Sequence, residues 1–118
     1  MSELRSIQIE VDNWIKSYGV DYFDEMTNLS NLTEEVGEVA RLIGRVYGQQ
    51  SFKKGTEPEN PKVAIADELT DVLFIVVCLA NQMDIDLGEA FRKNMDKKRN
   101  RDRELHQNNV KLKKQIGI

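Results

Sequence analysis

Residues 32–44, LTEEVGEVARLIG, place apolar side chains at the spacing of an amphipathic helix and crowd three glutamates among them. Glu34, Glu35 and Glu38 have no lysine or arginine four residues later that could relieve their repulsion. Like charges one turn apart destabilise a helix by about 0.2–0.5 kcal/mol per pair. The stretch therefore predicts a helix whose carboxylates are retained for a reason other than helix stability.

The same acidic pattern returns 33 positions later, when TEEVGEVARLIGRV (33–46) is compared with ADELTDVLFIVVCL (66–79). Both segments read acid-acid-x-x-acid, followed by an apolar run. Each contains two acids one turn apart on a shared helix face: Glu35 with Glu38, and Glu68 with Asp71. Asp71 directly precedes nine apolar residues, so we expect its carboxylate to face the interior.

The two acidic pairs together predict a bound cation. An unpaired buried carboxylate is strongly destabilising, and facing carboxylates need a neutralising charge. Ligand sets made only of oxygen favour a hard ion, Mg²⁺ first and Mn²⁺ next. The only histidine, His106, lies outside both segments, which argues against the Glu-x-x-His sites of di-iron bundles. The alternative interpretation is a solvated acidic face, which is what most helical carboxylates form.

The N-terminal half of the chain predicts two helices. A first helix and its turn occupy residues 1–24, and the helix ends near Gly19. Its apolar stripe comprises Leu4, Ile7, Val11, Trp14 and Tyr18. The second helix ends near Gly48, and its stripe comprises Met26, Leu29, Leu32, Val36, Val39 and Ile43. Residues 49–60, which are polar and contain Pro58, form the one obvious loop.

Two further helices follow the loop. Asn60 and Pro61 predict the N-cap and first turn of a third helix that ends near Met83. DLGE (86–89) predicts a capping box for a fourth helix, whose inward stripe comprises Leu87, Phe91 and Met95. Residues 103–118 form a polar tail that could hold a short helix from Leu105 to Leu112.

These elements predict an all-α fold of the four-helix bundle type, in a single domain over residues 1–118. One alternative is a buried strand at VLFIVVCLA (72–80), where β-branched residues are frequent. A helix that is apolar on nearly every side must be covered on nearly every side. Four short helices in one chain would struggle to do so, and we therefore expect a dimer or a larger assembly.

Composition excludes several classes of protein. The net charge of −3 favours neither a general nucleic-acid binder nor a membrane-surface protein. The single cysteine, Cys78, excludes an internal disulfide framework and a cysteine-rich zinc site. The charged N-terminus resembles no signal peptide, and the longest apolar run has nine residues, against about 20 for a membrane span. We expect a cytoplasmic protein.

Basic residues concentrate in RKNMDKKRNRDR (92–103), which holds seven basic and two acidic side chains. On a helix, Asn94, Lys97 and Arg101 border the inward stripe, where they could reach a neighbouring site. Magnesium held by carboxylates usually takes phosphates as further ligands, and these three residues are candidates to bind them. A solvated basic face or a nucleic-acid patch is the alternative.

The chain resembles the MazG-like nucleoside triphosphate pyrophosphohydrolases in three stretches: EEVGE (34–38), ELTD (68–71) and IDLGEAFRKNMDKKRNR (85–101). The signature of that family is Glu-Glu-x-x-Glu, a spacer, Glu-x-x-Asp and then a basic helix, and the resemblance covers roughly residues 25–102. The family often has lysine at the position of Asn94 and asparagine at that of Lys98.

The resemblance implies an activity and roles for these residues. Metal ligands would be Glu35, Glu38, Glu68 and Asp71. Water attack on the α-phosphorus of a nucleoside triphosphate, with Glu34 as general base, would release nucleoside monophosphate and pyrophosphate. The implied catalytic residues are thus Glu34, Glu35 and Glu38, while Asn94, Lys97 and Arg101 would bind phosphates. The family forms dimers or tetramers with shared sites, which implies a homodimer or homotetramer.

A nucleobase would need an aromatic slot, for which the candidates are Trp14, Tyr18, Tyr22 and Phe23. Trp14 and Tyr18 continue the apolar stripe of the first helix, so core packing is the favoured interpretation of these two. Two other functions stay open. One is a regulatory helical module that binds nucleotide or a divalent ion without catalysis, and the other is an oligomerisation module whose basic stretch binds nucleic acid, although no specific nucleic acid is expected.

Overall fold

The computed structural model describes residues 1–18 and 20–112, and that part of the chain contains four helices and no strand. The helices are α1 (Glu3–Ser17), α2 (Glu25–Val46), α3 (Pro61–Gln82) and α4 (Leu87–Gln107). The all-α prediction is confirmed, and residues 72–80 belong to α3 rather than to a buried strand. Gly19, where the first helix was expected to end, lies outside the described residues.

Each helix begins at a side chain that accepts a hydrogen bond from a backbone N–H of the first turn, which is why the helices start where they do. The capping residues are Ser2, Asp24, Asn60 and Asp86. Pro61 occupies the first turn of α3, as predicted. In the DLGE sequence Asp86 does cap α4, but the Glu89 carboxylate pairs with Lys93 at 3.0 Å one turn along the helix.

The layout follows the order of the chain. α2 and α3 form an antiparallel pair, since Asn28 near the start of α2 contacts Gln82 at the end of α3. α1 packs on α3, and α4 packs on α1. The Cα radius of gyration is 18.2 Å, against about 13 Å for a compact chain of this length. The single chain is therefore an open arrangement rather than a closed bundle.

The predicted apolar stripes differ from the buried faces. Trp14 and Tyr18 are 54% and 67% exposed, whereas Gln8 and Ile15 of the same helix are buried. On α2 the buried positions are Asn28 and Leu42. Apolar side chains of the other three helices also stay exposed in the single chain, among them Met26, Leu29, Val36, Ile43, Leu69, Leu73 and Phe91. This apolar surface is consistent with the expected assembly, which remains a prediction.

α4 differs from its predicted extent. It continues to Gln107, so residues 103–107 are helical and no separate helix begins at Leu105. Residues 108–112 form turns, and the rest of the predicted tail, 113–118, lies outside the described part. Gly88 lets the first turn of α4 approach α1, because a Cβ at this position would lie 2.0 Å from Ser2 Oγ. No helix within 1–18 and 20–112 is long and apolar enough to cross a bilayer.

Candidate active site

The antiparallel pairing of α2 and α3 brings acids from the two predicted motifs together. Glu35 of α2 and Glu68 and Asp71 of α3 each offer a carboxylate oxygen, and these three oxygens lie within 4.8 Å of one another. All three side chains are half-buried. We call these residues the acidic cluster.

The electrostatics of the acidic cluster show that its negative charges are uncompensated. The pKa of Glu68 rises to about 7 because its carboxyl group hydrogen-bonds that of Glu35, with partial burial and nearby negative charges adding to the shift. Partial burial, followed by the charges of Glu35 and Asp67, raises the pKa of Asp71. Three converging oxygens with excess negative charge fit a hard divalent cation.

Glu38, the fourth predicted ligand, lies beside the acidic cluster but is not part of it. Its Oε2 pairs with Arg41 Nε at 3.1 Å. No basic residue stands four positions after any of the three acids, but Arg41, three positions after Glu38, also lies on the same helix face and pairs with it. Both side chains are nearly half exposed, 48% for Glu38 and 44% for Arg41. An exposed pair of this kind contributes about 1 kcal/mol at most, so Glu38 can be released at little cost.

A cavity of about 690 Å³ adjoins the acidic cluster, and Glu35 and Asp71 lie at its edge. Its volume falls within the range of small-molecule sites, about 300–1,000 Å³. The structure brings all four predicted nucleobase residues to its wall: Trp14, Tyr18, Tyr22 and Phe23. Glu34, the predicted general base, lines the same cavity.

The aromatic residues form a wall rather than a core. The ring of Trp14 meets those of Tyr18 and Phe74 edge to face, with centroids 5.5 and 6.0 Å apart. The core-packing interpretation of Trp14 and Tyr18 is wrong for the single chain, because both remain exposed on the cavity side. Because both side chains line the cavity and are more than half exposed, ring surface remains available to a ligand.

Several cavity residues were missed by the sequence analysis: Asn28, Asn31, Phe74, Ile75 and Cys78. Helical spacing would have found three of them. Asn31 lies four residues before Glu35, and Phe74 and Ile75 lie three and four residues after Asp71, so each shares a helix face with a clustered acid. The pKa of the Cys78 thiol is raised to about 11 by burial, which makes it an inert part of the wall.

The predicted phosphate-binding residues are not brought to the acidic cluster within one chain. Asn94, Lys97 and Arg101 do not line the cavity, and none of them is among the groups that shift the pKa of Glu68 or Asp71. Asn94 accepts a hydrogen bond from Lys98, and Arg101 binds Asp102 through two contacts of 2.7 and 3.0 Å. α4 packs on α1 instead of on the acid-bearing helices.

Comparison with known proteins places these features in one family. Residues 23–106 match the MazG nucleotide pyrophosphohydrolase domain. The uncharacterized protein YpjD of Bacillus subtilis is 41% identical over 101 residues, which span 86% of this chain and 87% of that protein.

Two solved structures share the fold. The crystal structure of YpjD from Bacillus subtilis, described as a candidate pyrophosphatase, superposes with a TM-score of 0.71 at 38% identity, covering 86% of this chain and 98% of the other. A Bacillus-conserved MazG protein, described as a nucleotide pyrophosphohydrolase, gives a TM-score of 0.67 at 34% identity, covering 82% and 90% of the two chains.

Proposed function

The chain belongs to the MazG nucleotide pyrophosphohydrolase family, and on that premise we propose that it cleaves nucleoside triphosphates to monophosphates and pyrophosphate in a magnesium-dependent reaction. Family membership makes it a hydrolase acting on acid anhydrides. The observation that supports this reaction best is the adjacency of the acidic cluster and the aromatic cavity. A nucleotide presents a flat base and a polyanion side by side, and these two features match it.

The acidic cluster is the proposed magnesium site. Glu35, Glu68 and Asp71 would hold the ion, and Glu38 would join them after leaving Arg41. Mg²⁺ bound there would neutralise phosphate charge and lower the pKa of a bound water. Mn²⁺ suits the same oxygen ligands and is the expected substitute.

The remaining residues would orient the substrate and move the proton. The rings of Trp14, Tyr18 and Phe23 offer stacking surfaces for the base. The carboxylate of Glu34, on the cavity wall, is the proposed proton acceptor for the attacking water. The water oxygen bonds to the α-phosphorus, and the bond from that phosphorus to the bridging oxygen breaks, so that pyrophosphate leaves with the electron pair.

Phosphate binding by Asn94, Lys97 and Arg101 requires a second copy of the chain, because the α4 of the same chain lies away from the acidic cluster. The unpartnered apolar surfaces of α2 and α3 and the open shape of the single chain support a homodimer or homotetramer. In such an assembly, α4 of one copy would supply the basic residues to the acids of another.

The direct test is a panel of canonical and modified nucleoside triphosphates with Mg²⁺ or Mn²⁺, followed by identification of the products. We expect monophosphate and pyrophosphate from at least one nucleotide, and none in the presence of a chelator. Glu57→Gln, in an exposed loop, is the matched control for Glu68→Gln. Release of orthophosphate, or no turnover of any nucleotide with either metal, would contradict the proposal.

Mixing two inactive variants tests whether the site is shared. If acids and basic residues come from different copies, a mixture of Glu68→Gln and Lys97→Ala chains contains assemblies with one intact site. Co-refolding the two should then recover activity that neither shows alone. If each site lies within one chain, every site contains one of the two substitutions and the mixture stays inactive.

A further inference from the structure

The segment between α1 and α2 forms one wall of the cavity. Val20, Asp21, Tyr22 and Phe23 all line it. Residues 20–23 have no regular secondary structure, so helix hydrogen bonds do not fix their shape. Their position depends on the side chains that bind them.

Tyr22 is held by its hydroxyl group. The O–H donates to Asp12 Oδ1 of α1 at 2.6 Å and accepts from Asn81 Nδ2 of α3 at 3.0 Å. Hydrogen bonds to a carboxylate are shorter and stronger than neutral ones. Partial burial, followed by the bond to Asp12, raises the pKa of Tyr22 to about 12, which keeps the hydroxyl protonated as the donor.

Asn81 is in turn fixed by Gln8, which is 1% exposed. Gln8 Nε2 donates to Asn81 Oδ1 at 3.0 Å and to the carbonyl of Ile85 at 2.7 Å. Asn81 Nδ2 returns a bond to the carbonyl of Gln8 at 3.0 Å. Gln8 Oε1 also accepts from the backbone N–H of Leu87 at 2.9 Å. The partner of Tyr22 therefore has a set orientation.

A second amide pair holds the next residue of the segment. The carbonyl of Phe23 accepts from Gln82 Nε2 at 2.5 Å and from Asn28 Nδ2 at 3.4 Å. Asn28 Nδ2 also donates to Gln82 Oε1 at 2.7 Å. Three helices thus bind two consecutive residues of the cavity wall. We call Asp12, Asn28, Asn81 and Gln82, with Gln8 behind them, the polar clamp.

The polar clamp puts polar side chains in positions shielded from water, since Gln8 and Asn28 are buried and the other members are half-buried. Buried amides stabilise a fold no better than apolar groups of the same shape, and each is destabilising if a partner is lost. Within the described residues, however, no buried side-chain nitrogen or oxygen lacks a partner. A fully satisfied network of this kind fixes a unique geometry, and the geometry it fixes is that of the cavity wall.

We propose that Asp12, Tyr22 and Asn81 are positioning residues for nucleotide binding, which hold the 20–23 segment in the shape that receives the substrate. The inference rests on the proposed function of the cavity. Tyr22 acts here through its hydroxyl, which points into the polar clamp. A wall that is already ordered lowers the entropy lost on binding. The clamp touches no reacting atom, so its loss should weaken binding and leave the chemical step unchanged.

Tyr22→Phe tests the proposal, with Tyr47→Phe as the matched control, because Tyr47 lies 74% exposed at the end of α2. Tyr22→Phe removes both hydrogen bonds of the hydroxyl, and we expect it to raise KM about 10-fold, the order of the contribution of a hydrogen bond to a charged group. At saturating nucleotide, kcat should stay within about 2-fold of wild type. Asp12→Asn should behave alike, and the double variant should be no worse than either single variant.

Trp14, the only tryptophan, lines the cavity and gives a readout without turnover. Its fluorescence should change as a non-hydrolysable triphosphate analogue is added. The analogue concentration at half of the change should be about 10-fold higher for Tyr22→Phe than for Tyr47→Phe. In the free protein, acrylamide should quench Trp14 more strongly in Tyr22→Phe. An unchanged KM, or a parallel fall of kcat, would overturn the positioning role.

The two proposals can fail separately. If the wild-type protein turns over no nucleotide, the proposed function fails and the cavity has no assigned nucleotide. The acrylamide comparison still tests the clamp, since equal quenching of Trp14 in both tyrosine variants would show that the hydroxyl of Tyr22 does not hold the wall.

Discussion

Two groups of polar side chains share α2 and α3 and lie about two turns apart along α2, and the polar clamp also includes residues of α1. In the acidic cluster, carboxylates face one another and the pKa of Glu68 is raised to about 7. In the polar clamp, every amide donor meets an acceptor, as where Gln82 and Asn28 bind each other and the carbonyl of Phe23. Polar groups whose hydrogen bonds are satisfied within the chain stabilise its shape, whereas carboxylates whose charge the chain does not neutralise need a ligand.

The largest effect should come from removing a charge of the acidic cluster. Glu35→Gln or Glu68→Gln should lower kcat/KM by at least about 100-fold, since even residues behind a metal ligand cost about 10–100-fold. Steady-state kinetics at a fixed free magnesium concentration would measure the loss. Far-UV circular dichroism should show an unchanged helix content, and a variant that keeps near-full activity would contradict the assignment of these ligands.

Removing an amide of the polar clamp should act on stability. Asn81→Ala removes one hydrogen-bond partner each from the Gln8 amide, the Gln8 carbonyl and the Tyr22 hydroxyl, so the free energy of unfolding should fall by about 1–3 kcal/mol. Urea denaturation would measure it, with Asn13→Ala on the exposed face of α1 as the control. A loss no larger than that of the control would mean that water replaces the amide.

The acidic cluster should also give the metal-free protein an unusual pH dependence. Glu68 holds its proton up to a pKa of about 7 when folded, but only to its ordinary value of 4.5 when unfolded. The folded state thus binds more protons between these values, and the free energy of unfolding decreases as the pH rises through this window.

With solvent screening, the decrease in unfolding free energy should be about 1 kcal/mol. Denaturation in chelator at several pH values would measure it. In Glu68→Gln most of the slope of the unfolding free energy against pH should disappear. If the slope persists in this variant, other groups cause it.

The smallest effect should come from Arg41, at the border of the acidic cluster. Arg41→Gln removes an exposed ion pair, so the unfolding free energy should change by less than about 0.5 kcal/mol. Freed from this competitor, Glu38 should bind the cation better, and the magnesium concentration for half-maximal activity should fall about 2–3-fold. Arg99→Gln breaks a pair of the same spacing on α4, and an equal shift in that variant would argue for a general charge effect.

Sequence patterns predicted the helices well because the signals are local. Asn60 and Asp86 mark helix starts through side-chain hydrogen bonds within one turn, and Pro61 does so through its fixed φ angle. The acid spacing predicted a clustered site because residues three apart share a helix face. Only the pairing of α2 with α3 had to be supplied by the fold to bring Glu35 to Glu68.

Features that depend on distant contacts escaped prediction. Gln8 sits in α1 like any surface glutamine, and its burial follows from packing against Asn81, 73 residues later. The buried face of α1 differs from its apolar stripe. Gln8 and Ile15 are buried, whereas Trp14 lines a cavity instead of a core. In the proposed assembly, Lys97 reaches the acids of another copy of the chain. No local sequence pattern encodes that contact.

Gly88 has a consequence for the geometry of the basic helix. Its missing side chain lets the start of α4 rest against Ser2, and this contact helps to set the direction in which the helix leaves the body. Arg101 lies 13 residues further on, about 20 Å along the helix axis. A tilt of about 10° at this contact would move Arg101 by about 3 Å, more than the width of a hydrogen bond. The absence of a side chain at Gly88 thus helps to set the position of basic side chains several turns further along α4.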